Sequence, residues 1–358
     1  MKLLYAIQGT GNGHLSRARK IVPILKEKFD LDILVSGDQA QVETNFEVNY
    51  RYNGLSFRTS KKGKVSVIKS LTNAHPIDLL RDIRKFPAKK YDLIISDFEP
   101  ISAWSALLNN VPCVQLSHNI AIKSKLAPKP DFKDAKAQFV LDFYCPAKLN
   151  FGFHFEQYDE NTFLPVIRDE IRNLTTSNEE NYLVYLPAYH DDAIFTVLSN
   201  FDVKWIVFSR YSDKKYTKKN VTFCPIDNDH FLEKLAESQG VLCGAGFELP
   251  AEIIHLGKKL MVIPMAGQYE QWCNAEALKR MGVTTLPSLD LSFFRNINYW
   301  LNYSKPIQIS FPDSISCDLN LVIEKSMNHF YGDSNERYMD KSRPIYNVWN
   351  HKFRTQSL

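Results

Sequence analysis

Residues 241–282, VLCGAGFELPAEIIHLGKKLMVIPMAGQYEQWCNAEALKRMG, decide the fold of this chain. An apolar run that ends at Cys243 leads through a glycine-rich turn into a helix that we predict to begin near Glu248. A second apolar run, Lys259–Ile263, leads into a further helix. Strands that alternate with helices in this way are typical of doubly wound parallel sheets. The sequence therefore predicts an α/β domain, with both turns at the carboxyl edge of its sheet.

The two turns of this segment carry groups that can bind an anion and several hydroxyls. The small residues of Gly244–Phe247 leave backbone N–H groups accessible at a helix N-terminus, where a diphosphate can bind. Glu252 lies about two turns further along the same helix and can accept hydrogen bonds from ribose hydroxyls. Gln268, Gln271 and Asn274 share one helix face, and amides both donate to and accept from sugar hydroxyls. The alternatives are a surface acid at Glu252 and a polar helix N-terminus without a ligand.

A second glycine-rich turn, QGTGNGHLSR at residues 8–17, follows the predicted first strand. Its third glycine comes one residue too early for the dinucleotide-binding pattern G-x-G-x-x-G, although Asp38 as a ribose-binding acid keeps that alternative open. His14 opens a helix at the carboxyl edge of a sheet, and an imidazole can accept a proton near neutral pH. We therefore predict that His14 is a catalytic base, with a capping or surface histidine as the alternative. The loop predicted to contact an acceptor or a phosphate is Gly11, Asn12 and Gly13.

Two further side chains of the first half follow predicted strands. Asp97 comes directly after one apolar run and His118 after the next. Because the carboxyl ends of parallel strands meet at one edge of a sheet, we expect both to lie near His14 and to take part in catalysis. Asp97 or Glu99 can orient an imidazole or hold an acceptor hydroxyl, with loop capping as the alternative.

The length of 358 residues suits two domains, each with its own alternation of strands and helices. The polar stretch NLTTSNEEN at residues 173–181 breaks both the strand and the helix periods, so we place the linker there. The predicted division is a first Rossmann-like domain at 1–165, a linker at 166–181, a second Rossmann-like domain at 182–330, and a closing helix or tail at 331–358.

Charge and composition favour a cytoplasmic protein. The net charge is only +4, and the six cysteines show no C-x-x-C spacing, so we expect reduced thiols and no metal site. The apolar start is too short for a signal peptide, and no run of about 18 apolar residues exists. Lysines and arginines cluster at 58–64 and 85–90. They predict a peripheral contact with the inner face of the membrane or an anionic acceptor, with a solvated face as the alternative, and no nucleic-acid partner.

The segment at residues 244–282 and the glycine-rich turn at residues 9–14 together resemble a known family. Residues 244–282 are similar to the donor-binding half of the GT-B glycosyltransferases that include bacterial lipid II synthase and plastid monogalactosyldiacylglycerol synthase, and more closely to the glycosyltransferase family 28-like proteins of bacteria and archaea. The turn at residues 9–14 matches their G-x-G-H-type motif, and Leu164–Arg168 resembles the lead into their interdomain hinge. The resemblance covers about residues 1–330.

The resemblance implies a GT-B fold, in which two Rossmann-like domains face each other across a cleft. It further implies inverting sugar transfer from a UDP-sugar to a hydroxyl acceptor, lipid-linked or not, in cell-envelope polysaccharide or glycolipid synthesis. The nucleotide-sugar is then a substrate, and no cofactor is needed. His14 falls on the position of the base, Glu252 on the ribose contact and Gln271 on the sugar contact. The implied donor-binding residues are Gly244, Ala245, Gly246, Phe247, Glu248, Glu252, Gln268, Gln271 and Asn274.

The sequence departs from the family pattern at two places, and several alternative functions are compatible with it. Glu270 stands where the family often has the first of two amides, and the run Gly246–Glu248 differs from the Ser-Gly-Ala form of better-known members. Asp227-Asn228-Asp229 has the D-x-D spacing of metal-dependent glycosyltransferases, but its acidic, proline-containing surroundings favour a turn. The alternative functions are a non-hydrolysing UDP-sugar 2-epimerase, an inert nucleotide-sugar-binding protein and an NAD-dependent oxidoreductase.

Overall fold

A computed structural model describes residues 1–10, 12–37, 44–54 and 76–332 of the chain. Gly11, Asp38, the basic residues at 58–64 and the segment 333–358 lie outside those ranges. The predictions that fall on them therefore stay predictions.

The first half of the chain forms one parallel sheet. The strands are β1 Lys2–Gln8, β2 Asp30–Ser36, β3 Tyr50–Tyr52, β4 Leu93–Asp97, β5 Cys113–Leu116, β6 Leu149–Phe153 and β7 Thr162–Phe163. Their order in the sheet, β3-β2-β1-β4-β5-β6-β7, changes direction at β1, so helices can cover both faces. The predicted first strand is observed as β1, and β3 is the edge strand beside β2.

The helices of the first half follow the apolar periodicity of the sequence. The first of them, Asn12–Lys28, begins two residues before His14, because the glycine-rich turn itself enters the helix. It buries Leu15, Ile21 and Leu25 against the sheet. The helices are α1 Asn12–Lys28, α2 Pro76–Lys85, α3 Pro100–Asn109, α4 His118–Ala121 and α5 Ala135–Phe143, with a 3₁₀ turn at Ala88–Lys90.

The second half repeats this architecture after a short helix, α6, at Asp169–Arg172. The strands are β8 Glu179–Tyr185, β9 Lys204–Phe208, β10 Tyr216–Lys218, β11 Val221–Cys224, β12 Ser238–Gly244, β13 Lys259–Ile263 and β14 Thr284–Thr285. Their order in the sheet is β10-β11-β9-β8-β12-β13-β14, and only the edge pair β10–β11 is antiparallel among the described strands. The predicted α/β class is therefore confirmed for both halves.

The helices of the second half again lie between the strands. Two of them open directly after the turns singled out in the sequence, at Glu248 and at Tyr269. The helices are α7 Asp191–Leu198, α8 Asn228–Glu237, α9 Glu248–His255, α10 Tyr269–Arg280, α11 Phe294–Tyr303 and α12 Ile315–Tyr331, with a 3₁₀ turn at Leu291–Phe293.

The last described helix, α12, returns to the first half of the chain. Lys28 Nζ on α1 donates to Asn320 Oδ1 at 2.9 Å, and Tyr331 Oη donates to the carbonyl of Asp92 at 2.8 Å. Lys20 on α1 also pairs with Asp313 at 2.8 Å. The two halves are thus joined both by the linker and by α12. The carboxyl edges of the two sheets meet beside α1, and the site lies there.

None of the described helices is both long enough and apolar enough to cross a membrane.

Candidate active site

A histidine and an aspartate from two neighbouring strand ends form the centre of the site. His14 lies in the first turn of α1, after β1, and Asp97 is the last residue of β4, which pairs with β1. His14 Nδ1 lies 2.8 Å from Asp97 Oδ1, and the carboxylate is fully buried. The geometry assigns the proton to Nδ1, which donates to the carboxylate and leaves Nε2 as the basic nitrogen. The expected proximity of these two residues is observed.

Arg17 is a third member of this group, and its local sequence does not indicate this role. It lies three residues after His14 on α1, so the two side chains share a helix face. Its Nη2 donates to both oxygens of Asp97 at 2.7 Å, and the side chain is 1% exposed. Burial alone would raise the pKa of the Asp97 carboxyl. The positive charge of Arg17 and the hydrogen bond from His14 outweigh it, so that pKa lies well below its usual value.

The glycine-rich turn of the second half faces this group. The backbone amide of Ala245 donates to the carbonyl of Ile263 at 3.2 Å. The residues that follow Ala245 lead into α9, which begins at Glu248. No neighbouring atom lies within 4 Å of the place where a Cβ at Gly246 would stand, so the turn is open there. Phe247 is buried and stacks on the His118 ring at 5.3 Å between centroids. The turn therefore leads into the N-terminus of α9 and is open at Gly246, and its predicted contacts with a ligand stay predictions.

Glu248, the first residue of α9, crosses to the first half. Its Oε1 accepts from Arg17 Nη1 and lies 3.8 Å from His118 Nδ1. A Cβ atom at Gly13 would stand only 2.8 Å from the carboxyl carbon, so the absence of a side chain at position 13 admits this carboxylate. Asn12 precedes Gly13 in the first turn of α1.

His118 belongs to a second contact between the halves. Its Nε2 lies 2.9 Å from Glu270 Oε1, while Asn119 Nδ2 donates to Glu270 Oε2 at 2.8 Å. Burial lowers the pKa of His118, but the negative charges of Glu270 and Glu248 outweigh burial and raise that pKa above its usual value. The rings of His118 and His14 lie 5.1 Å apart. His118 is thus close to the predicted base, as expected.

The polar residues of α10 contact the neighbouring turns. Asn274 Nδ2 donates to the carbonyl of Ala245 at 3.2 Å and to Glu270 Oε1 at 3.3 Å. Gln271 Oε1 accepts from the amide of Met265 at 2.9 Å, and Gln268 is the N-cap residue of α10. These residues line the same edge as the glycine-rich turn. Their predicted contacts with a donor sugar stay predictions.

Glu252 has a partner that the sequence did not indicate. Arg168, within the predicted linker, donates from Nε to Oε1 at 2.6 Å and from Nη2 to Oε2 at 2.9 Å. Both side chains are largely buried. Burial raises the pKa of Glu252, and the charge of Arg168 offsets part of that rise. A ribose contact at Glu252 therefore requires the hydroxyls to share or replace this ion pair, and the predicted role stays a prediction.

Several other candidates have structural roles. The Glu99 carboxylate caps α3 by accepting from the amides of Ile101 at 2.8 Å and Ser102 at 2.7 Å, so it does not orient His14. Asp227 caps α8, which agrees with the turn preferred for the D-x-D sequence. Within the part of the chain that the structure describes, no group of three or more His, Cys, Asp or Glu side chains could hold a metal ion.

One surface cavity lies elsewhere. It opens at the amino edge of the second sheet, beside the starts of β8 and β9, and includes Asn181, Trp205 and Thr222 in its lining. This is the edge opposite to the glycine-rich turn, so the cavity is not part of the candidate active site.

Comparison with known proteins identifies the family. A model of the family described as glycosyl transferase family 1 matches residues 1–301. The chain belongs to glycosyl transferase family 1. Its sequence matches no curated protein significantly. The family assignment confirms the glycosyltransferase part of the resemblance, whereas the finer likeness to family 28-like proteins and to lipid II synthase stays a prediction.

Solved structures confirm the GT-B fold of this family 1 chain. Staphylococcus aureus MnaA, in a structure with UDP, is 12% identical with a TM-score of 0.57 over 92% of this chain and 97% of that one. The calicheamicin glycosyltransferase CalG4 is 13% identical, with a TM-score of 0.56 over 92% and 99%. Phytolacca americana UGT2, complexed with UDP-2fluoro-glucose and pterostilbene, is 13% identical, with a TM-score of 0.53 over 95% of both chains. At these identities the likeness concerns the fold alone.

Proposed function

We propose that this glycosyltransferase moves a sugar from a nucleoside diphosphate sugar, with UDP as the nucleotide, to a hydroxyl acceptor, with inversion and without a metal ion. The observation that carries the proposal is the His14–Asp97 pair, held at 2.8 Å directly opposite the open turn before α9. A base on one sheet edge and an anion-binding helix N-terminus on the other are the two parts that such a transfer needs.

In the proposed reaction, His14 Nε2 takes the proton of the acceptor hydroxyl. The acceptor oxygen then forms a bond to the anomeric carbon while the bond from that carbon to the diphosphate oxygen breaks. The electron pair leaves with the diphosphate, and the proton stays on the imidazole. Asp97 is fully buried and ionised, so it holds Nδ1–H and stabilises the imidazolium that forms.

The leaving diphosphate is proposed to bind at the N-terminus of α9. The amides of Gly246, Phe247 and Glu248 precede or open the helix, where the helix dipole favours negative charge. Gln268, Gln271 and Asn274 are proposed to contact the transferred sugar from α10, and Glu252 the ribose. The two halves closing about the linker would exclude water and limit hydrolysis of the donor.

We also propose a peripheral contact with an anionic membrane, through which a lipid-linked acceptor could be reached. On α2, Ile77 is 78% exposed and Leu80 is 52% exposed. Arg81 and Arg84 are exposed on the same face of this helix. Apolar side chains flanked by basic ones are the pattern of helices that lie on anionic lipid surfaces.

The proposal is tested by calorimetric titration of the protein with UDP, dTDP, GDP, ADP, a set of UDP-sugars and NADH, with and without EDTA. Products are then analysed by mass spectrometry with and without hydroxyl acceptors. We expect UDP binding that survives EDTA, and sugar transfer that depends on an acceptor. Sugar isomerised without any acceptor would replace this function by epimerisation, and binding without reaction would make the protein an inert nucleotide-sugar binder. NADH binding in place of UDP would refute the donor site.

The proposed base has a matched control. His14→Ala should lower turnover by about 10²–10⁴-fold, as expected for loss of a general base, while UDP affinity changes little. His329 is exposed on α12, so His329→Ala should leave both unchanged. If the His14 variant retains near-full transfer, His14 is not the base.

A further inference from the structure

The carboxylate of Glu248 lies at the centre of the proposed reaction site. It contacts Arg17, approaches His118 Nδ1 at 3.8 Å and packs on Gly13, next to His14. Its side chain is 17% exposed. This negative charge stands between the two helix N-termini of α1 and α9, which is also the space between the proposed base and the proposed diphosphate site.

A diphosphate cannot enter this space while Glu248 remains there. Two anions in a partly buried site repel each other strongly, and the carboxylate already fills the space beside Gly13, where a Cβ would stand 2.8 Å from its carboxyl carbon. A donor must therefore displace the carboxylate toward solvent. The displacement is feasible because Glu248 is the first residue of its helix and its side chain is partly exposed.

Arg17, in contrast, does not depend on Glu248 for its position. Its Nη2 is held by both oxygens of Asp97 at 2.7 Å, and its guanidinium lies 5.3 Å from the Phe153 ring. Only Nη1 reaches across to the second half. When Glu248 leaves, a buried and permanently charged guanidinium N–H stays directed at the space that the carboxylate occupied.

We propose that Arg17 binds the donor diphosphate, and that Glu248 occupies the diphosphate position on Arg17 when no donor is bound. This inference rests on the proposed function, adds Arg17 to the same site and gives the Glu248 side chain a role there. Donor binding exchanges one charge-assisted hydrogen bond of Arg17 for another. Glu248 is then an intramolecular competitor of the diphosphate, and Arg17 contributes positive charge where the leaving group develops negative charge.

The proposal predicts that substitution of Glu248 changes the affinity for ligands with a diphosphate and leaves the affinity for the nucleoside unchanged. Replacing Glu248 by glutamine removes the competing charge with little change of shape. UDP should then bind about tenfold more tightly, the size expected for one charged hydrogen bond, while the affinity for uridine should not change. Inorganic pyrophosphate should gain affinity as UDP does. Glu233 lies on α8 of the same half, and its side chain is 56% exposed, so Glu233→Gln controls for net charge and should change nothing.

Arg17→Lys tests the other partner. A lysine keeps the charge but cannot hold Asp97 and reach across the cleft with separate nitrogens. UDP affinity should fall about tenfold in this variant while uridine affinity stays constant. If thermal melts show that Arg17→Lys does not fold, the Glu248→Gln titrations decide alone.

The outcomes distinguish this inference from the proposed function. If UDP binds wild type and Glu248→Gln equally, the inference is overturned and the donor site stands. If UDP and uridine gain affinity equally, Glu248 only holds the cleft closed, and the diphosphate assignment is wrong. If no nucleoside diphosphate binds either protein, the proposed function and the inference both fail.

Discussion

The ion pair between Glu252 and Arg168 leads to a prediction about stability. Its two hydrogen bonds, at 2.6 and 2.9 Å, use both carboxylate oxygens, and the side chains are only 4% and 12% exposed. Glu252→Ala leaves the Arg168 guanidinium largely buried without its partner. Removing one member of a buried pair costs about 3–5 kcal/mol. At roughly 2–4 °C per kcal/mol, the melting temperature should fall by on the order of 10 °C.

The measurement is thermal unfolding followed by circular dichroism, with two comparisons. Glu237→Ala removes a helix acid whose pair with Lys234, at 2.7 Å, is more exposed, so its melting temperature should stay within about 2 °C of wild type. Replacing Arg168 and Glu252 together by methionine removes both charges and should recover most of the loss. A Glu252→Ala protein that melts like wild type would refute the reasoning that this pair stabilises the fold.

The methionine double variant also tests the ribose role of Glu252. Since this variant should keep the fold, its UDP affinity reports on ligand contact alone. A loss of UDP affinity by about tenfold, which corresponds to about 1.4 kcal/mol of binding free energy, would support a ribose contact. Unchanged affinity would remove Glu252 from the donor site and leave it as the partner of Arg168.

Three further outcomes are expected. Asp97→Asn should lower transfer by about 10²–10⁴-fold, because the amide no longer fixes the His14 tautomer. Stopped-assay kinetics at saturating donor measure this, and wild-type turnover would contradict it. The pKa of His118 is raised in the folded state. The free energy of unfolding of wild type should therefore exceed that of His118→Gln by the largest amount below the unfolded pKa of about 6.5. This difference should disappear as the pH rises through the folded pKa. Melts from about pH 6 to about pH 9 measure it, and a pH-independent difference would disprove the contribution of the His118 charge. The double variant Ile77→Asp, Leu80→Asp should cosediment less than wild type with anionic phospholipid vesicles. If wild type binds neutral and anionic vesicles equally, the basic side chains of α2 do not contribute to membrane binding.

The order of strands and helices around both turns was predictable from local pattern. Apolar runs of strand length that alternate with amphipathic stretches specify parallel α/β units, and the glycine-rich turns mark the carboxyl edges. His14 and Asp97 were predictable for the same reason, because each follows a strand of one sheet. The edge strand β10 and the return of α12 onto α1 were not predicted, since a short exposed strand and a long-range packing contact leave little local signal.

For the candidate site, too, the positions of the side chains were predictable from the sequence, whereas their pairings were not. Local sequence patterns specify which side chains lie at the two sheet edges, because strand ends and helix starts are local features. Tertiary structure decided which of them meet: Arg17 with Glu248, 231 positions apart, His118 with Glu270, and Arg168 with Glu252. These pairs join different halves or distant segments, and the burial that makes their charges matter arises only when the two sheets face each other.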